Sequence, residues 1–171
     1  MHVLPLDVDD PFQIAAFAER VIRDFPDTNV LLNNAGIMRF EPSLAHNRDL
    51  RAAEAMIATN LLERIRLTDA LVEHLACRPG ATIINGTSGI GFVPLVAAPT
   101  YSATKAALHT YTVSLRAALT GRAEVIETAP PAVRTELTTR QEQEEQFLPL
   151  SDFADQLMSL LERTPTPPEI L

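Results

Sequence analysis

The sequence predicts an α/β protein built around a mainly parallel sheet. Short aliphatic runs alternate with longer segments whose apolar residues recur at helical spacing. Glycine, proline or polar pairs punctuate the joins. Strands separated by helices require crossover connections, and these make neighbouring strands parallel. The 171 residues, 46% hydrophobic and 21% charged, suit one domain with a substantial core.

The elements follow in order. Residues 2–8 read as a short strand. Asp9 or Asp10 with Pro11 marks a helix start, since an Asp carboxylate can take free amides and Pro fits the first turn. The helix runs over 12–25 with Ile14, Phe17, Val21 and Ile22 on one stripe, and Pro26 ends it. A second strand over 29–32 flows into Asn33-Asn34-Ala35-Gly36, and a loop carrying Pro42 follows. A long helix is predicted over 49–76, with Leu50, Ala53, Ile57, Leu61, Ile65, Thr68 and Leu71 near helical spacing and Pro79-Gly80 as the stop. Residues 81–85 form a third strand, 101–119 a helix rich in small residues ended by Gly121, and 123–128 a fourth strand broken by Pro130-Pro131. A polar stretch at 136–146 leads to a last helix, 151–163. Glu169-Ile170-Leu171 has the look of an opening strand.

Bulk properties narrow the function. A net charge of -8 opposes nonspecific binding to nucleic acid or anionic membrane. It leaves room for a nucleotide-sized ligand, because local backbone donors override net charge. One cysteine, Cys77, allows no intrachain disulfide. The N-terminus turns acidic by Asp7 and lacks a signal peptide's basic start. No apolar run reaches the roughly 20 residues that span a bilayer. The expected location is cytoplasmic. No His, Cys, Asp and Glu spacing points to a metal.

Four groups of residues can do chemistry. Tyr101 and Lys105 lie four apart on a helix, about 400° of turn, and so share a face. A nearby ammonium favours the phenolate, and such a tyrosine can exchange a proton with an alcohol or carbonyl oxygen. As a bare pair they also read as a surface Tyr and Lys. Ser88 follows the third strand, where open α/β sheets hold ligands, yet a loop serine alone is a turn residue. Asn60 sits inside the long helix, either facing solvent or as a buried amide bonded to backbone or water. Asn33-Asn34-Ala35-Gly36 lets backbone approach a flat ligand, or makes a plain turn.

Taken together, these residues resemble the short-chain dehydrogenase/reductase family. The matches come in that family's order: Asp7 after a strand, Asn-Asn-Ala-Gly at 33–36, Asn60 between Thr and Leu, Ser88, and Tyr-Ser-Ala-Thr-Lys at 101–105. Pro130-Pro131-Ala132-Val133-Arg134-Thr135 is similar to its proline-containing segment. The resemblance covers nearly the whole chain. It implies a partial Rossmann-like, doubly wound parallel sheet in a single domain, 1–171, without the first βαβ unit and the last strand. It implies Tyr101 as acid/base, Lys105 as the group that lowers its pKa and meets the nicotinamide ribose, Ser88 on the substrate oxygen, and Asn60 behind a water relay. Asp7 and Val8 would border the adenine of NAD or NADP, and Asn34, Ala35 and Gly36 would line the cofactor. Val133 and Thr135 would meet its nicotinamide end. The implied reaction is hydride transfer between NAD(P) and a small alcohol or carbonyl substrate.

The family's glycine-rich phosphate loop has no counterpart before His2. Residues 85–91 imitate one, but the spacing is a residue short and Phe92-Val93-Pro94 follows where a helix should start. The expectation is therefore weak or absent cofactor binding by this chain, and an unpaired sheet edge at the strand through Val3. The alternative reading is a non-catalytic remnant that pairs with an intact homologue through helices 49–76 and 101–119, the same face that would make a homo-oligomer. A related epimerase shares the Tyr and Lys spacing but fits the 33–36 motif less well. A serine hydrolase lacks its motif, and His74 and His109 read as ordinary helix-surface residues. Residues 140–146 fall where the family carries a substrate lid.

Overall fold

The computed structural model describes residues 1–41 and 44–170. Pro42, expected in a loop, and Leu171, expected in the last strand, lie outside them. Helix α1 is Pro11–Asp24, and strand β1 is Val30–Asn33. The long helix is three pieces: α2 (Arg51–Ile57), a π-helical turn (Ala58–Leu62) and α3 (Glu63–Leu75). Strand β2 is Thr82–Gly86, α4 is Pro99–Ala118, β3 is Glu124–Thr128, α5 is Leu150–Leu161 and β4 is Glu169–Ile170. The strands form one sheet in the order β1-β2-β3-β4, and every pairing is parallel.

Side chains alternate across the strands and split the core in two. Leu31, Ile83 and Val125 face one way and pack with Ile14, Ala18 and Val21 of α1 and Leu67, Leu71 and Leu75 of α3. Ile84, Ile126 and Ile170 face the other way, against Leu157, Leu160 and Leu161 of α5. Over β1 that second face is bare: Val30 is 49% and Leu32 58% exposed.

Helix starts and stops obey local chemistry. Asp10 caps α1, its Oδ1 accepting from the amides of Phe12 (2.9 Å) and Gln13 (3.4 Å), with Pro11 in the first turn. Gly80 and Gly121, at φ 67° and 75°, turn the chain after α3 and α4 in a region that L side chains avoid.

Three expectations need correction. Residues 2–8 make no strand; among the described residues they have no ladder partner, and a strand exists only by pairing. Leu4 and Leu6 pack instead against the first core cluster, so the unpaired edge is β1 and not the segment through Val3. In the long helix the π turn shifts the buried face: Ala53, Met56, Asn60, Arg64 and Leu67 are buried, whereas Leu50 and Ile57 are exposed. On α1 the buried stripe is Ile14, Ala18 and Val21, and Ile22 sits outside it at 37% exposure.

Replacing Asp10 by Ala leaves the Phe12 and Gln13 amides without their acceptor at the start of α1 and should lower the unfolding midpoint. Urea denaturation of Asp10→Ala beside the parent chain checks this, and an unchanged midpoint refutes the capping role.

Candidate active site

The parallel register brings β1, β2 and β3 to an end side by side, pairing Asn33 with Asn85 and Asn85 with Glu127. The loops beyond these ends wall a cavity of about 960 Å³. Asn34, Ala35 and Gly36 come from the first loop, Ser88 from the second, Val133 and Thr135 from the third, and Tyr101 and Lys105 from α4. Seven expected cofactor residues and three of the four expected catalytic ones therefore share one space. Asp7 and Val8 do not line it; Asp7 is exposed and its carboxylate accepts from the Asp9 amide at 3.0 Å.

Each reactive side chain is held by a specific partner. Tyr101 is 5% exposed, and the Ser88 hydroxyl accepts from the Ile90 amide at 3.3 Å. Lys105 Nζ donates to the Gly86 carbonyl at 2.8 Å and lies 5.5 Å from the centre of the Tyr101 ring. The start of α4 is fixed from outside the helix: buried Glu41 accepts from the Thr100 amide at 2.7 Å and hydroxyl at 2.8 Å, and pairs with Arg48. Burial pushes the Glu41 carboxyl up, but these bonds outweigh it and leave the pKa below its ordinary value. Gly91 allows the Ser88 loop to lie on α4, since a Cβ there would sit 3.0 Å from the Lys105 backbone carbon. Residues 85–91 form a strand end and one short 3-10 turn, Gly89–Gly91, with no long helix behind it.

Asn60 takes the buried alternative. It is 0% exposed, and its carboxamide bonds both backbone groups of Ile37: Oδ1 accepts from the amide at 2.9 Å and Nδ2 donates to the carbonyl at 2.8 Å. Nδ2 also reaches Thr104 of α4 at 3.4 Å. The π turn, in which the Glu63 amide bonds the Ala58 carbonyl five residues back, accommodates Asn60.

Four residues escaped the sequence reading. Arg64 is fully buried behind the first loop, donating to the carbonyls of Ala35, Asn60 and Thr59. His109 is not an ordinary surface residue: its Nδ1 lies 2.7 Å from Glu127, whose other oxygen accepts from Thr87 at 2.6 Å. His74 is half-buried, with its Nε2 enclosed. Gln141, in the polar stretch 136–146, lines the cavity and donates to the Val133 carbonyl at 2.8 Å. Only tertiary contact reveals these partners; for Asn60 with Arg64, four apart, spacing was the available signal.

Burial dominates the electrostatics. It pushes the Tyr101 phenol above 10.0, while the Arg64 charge and the Ser88 hydroxyl pull it back. It pulls Lys105 down from 10.5 to about 7, and the Arg64 charge pulls the same way. The Arg64 charge acts on the phenol, and Lys105 Nζ stands beside the ring. Among the described residues no cluster could hold a metal, and no helix is long and apolar enough to cross a membrane.

Residues 1–146 match the profile of the short chain dehydrogenase family. An uncharacterized oxidoreductase, DltE, of Bacillus subtilis is 38% identical over 141 residues, 82% of this chain and 56% of that protein. A sulfoacetaldehyde reductase of Chromohalobacter salexigens is 33% identical over 140 residues, 81% of this chain and 55% of that protein. The chain thus spans just over half the length of these curated relatives. A crystal structure of a short chain dehydrogenase from Burkholderia cenocepacia in complex with NADP superimposes with a TM-score of 0.83 at 29% identity, covering 98% of this chain and 70% of that one. The ligand-free aldohexose dehydrogenase of Thermoplasma acidophilum shares the fold, with a TM-score of 0.84 at 17% identity.

The depressed Lys105 pKa makes stability depend on pH. Between about 7 and 10.5 the unfolded lysine holds a proton that the folded one has lost, so stability rises across that window. Below it both states are protonated and the burial cost stands in full. Urea melts at intervals from pH 7 to 10 should show this rise in the parent and a flatter profile in Lys105→Met. Parallel profiles would rule the assignment out.

Proposed function

The chain belongs to the short-chain dehydrogenase family, and from that premise we propose that it catalyses reversible hydride transfer between NAD or NADP and a small alcohol or carbonyl compound. One observation carries the reading: a phenol, a hydroxyl and an ammonium meet at a single cavity beyond the carboxyl ends of parallel strands. The NADP held by the Burkholderia relative and the reductase from Chromohalobacter support it.

The cavity walls would hold the nicotinamide half of the nucleotide. Lys105 and Tyr101 would meet the ribose, Asn34, Ala35 and Gly36 the length of the molecule, and Val133 and Thr135 the nicotinamide end. Asp7 and Val8, outside the cavity lining, would border the adenine. The cofactor, when bound, supplies or receives the hydride at its nicotinamide ring.

The chain's own groups manage the oxygen. Ser88 donates to the carbonyl oxygen and holds it beside the Tyr101 phenol. Tyr101 gives its proton to that oxygen as negative charge develops, and takes it back in the oxidative direction. The raised Tyr101 pKa keeps the proton in place before reaction, and the Arg64 charge favours the phenolate after it leaves, with Lys105 Nζ 5.5 Å from the ring centre. Asn60 fixes Ile37 and reaches Thr104, holding the first loop against α4.

A pairing role has its own support. Leu50, Ile57 and Leu62 on the long helix and Val113 on α4 are 39–51% exposed, an apolar face beside the site that a second copy or an intact homologue would cover. Light scattering over a concentration series tests it; a mass of one chain at every concentration opposes it.

Tyr101→Phe should lower kcat/KM for carbonyl reduction by about 10²–10⁴ while leaving cofactor binding, read by NADPH fluorescence, near the parent value. Full turnover in the variant removes Tyr101 as proton donor.

A further inference from the structure

Among the described residues Arg64 is the largest fully buried side chain, and no carboxylate pairs with it. Its guanidinium donates to three carbonyls: Ala35 in the cavity wall, and Thr59 and Asn60 in the π turn. The point where a Cβ on Gly36 would stand is 3.3 Å from both Arg64 and the Asn60 carboxamide. Glycine at 36 thus lets the guanidinium lie against the loop. Its Nε has no partner among the described residues.

We propose that Arg64 is a positioning residue of the active site, clamping the Ala35–Gly36 loop to the Asn60 turn and placing a permanent positive charge behind Tyr101 and Lys105. The proposal rests on the hydride-transfer reading for its kinetic half alone. A guanidinium does not lose its proton in proteins, so the charge is present at every working pH. The titratable groups around it are Glu63 on its own helix, Tyr101 and Lys105 on α4, and Asp9, whose charge reaches Glu63. Glu63 is itself pushed toward its neutral form, chiefly by burial, which limits its ability to offset the guanidinium. The charge holds Lys105 low and favours the Tyr101 phenolate, while the clamp fixes the cavity wall.

Lys105 is the chain's only lysine, so its side-chain nitrogen gives one assignable NMR signal. Its titration should be followed in the parent and Arg64→Gln, with kcat and KM for NADPH-linked carbonyl reduction measured in these and in Arg64→Lys. Arg64→Gln should move the Lys105 midpoint upward. Arg64→Lys, read by kinetics because it adds a second lysine signal, loses the planar fork and should reduce kcat/KM on the order of tenfold. An unmoved midpoint in Arg64→Gln overturns the electrostatic role. If that variant fails to fold, parent kinetics in Arg64→Lys overturn the clamp. The expected midpoint shift in a protein without turnover would uphold the Arg64 charge and sink the hydride-transfer reading instead.

Discussion

A buried polar row across the sheet governs the rest of the structure. Asn33, Asn85 and Glu127 stand side by side on β1, β2 and β3, all within 2% of complete burial. Buried polar groups are costly unless bonded, so each must find a partner in the layer above. Asn33 bonds Thr68 of α3 at 3.1 Å and Asn85 at 2.9 Å; Asn85 bonds Thr112 of α4 at 2.9 Å; Glu127 takes His109 and Thr87. These bonds set how far α3 and α4 are rotated on the sheet. That rotation decides where Asn60, Tyr101 and Lys105 point, one turn or two along the same helices.

Above this row the site is assembled from groups that water would otherwise keep apart. Lys105 and Arg64 are both withdrawn from solvent, with backbone carbonyls in place of carboxylates as their hydrogen-bond acceptors. Carbonyl dipoles satisfy the donors without neutralising the charge, so the Arg64 cation still acts on Lys105 and on the phenol. Direct pairing with carboxylates would have quenched this field. The adjacent carboxylate, Glu63, is itself driven toward its neutral form by burial.

Much of this was legible in the sequence, where signals are local. Asp10 with Pro11 marked a helix start that the structure confirms, and Gly80 and Gly121 marked turns with positive φ. The spacing of Asn34, Ser88, Tyr101 and Lys105 anticipated a common cavity, because strand ends and following loops are fixed by the alternation of elements. What escaped depends on partners far apart in the chain. Glu41 serves the start of a helix 59 residues away, and nothing near either residue signals the link. Periodicity put Leu50 and Ile57 on the buried stripe because it assumes a uniform helix; one π turn shifts the phase and puts Arg64 inside. Residues 2–8 carry strand composition, but composition cannot supply a neighbour to pair with.

The bare face of β1 bears on how the protein behaves as a material. Val30 and Leu32 are open to solvent, and among the described residues the strand is bonded along one side alone. Any extended peptide laid along the free side would gain main-chain bonds and shelter apolar surface in the same step. Crowding therefore works against dispersion of this fold: the more concentrated the preparation, the stronger the pull toward sheets that continue from one molecule into the next.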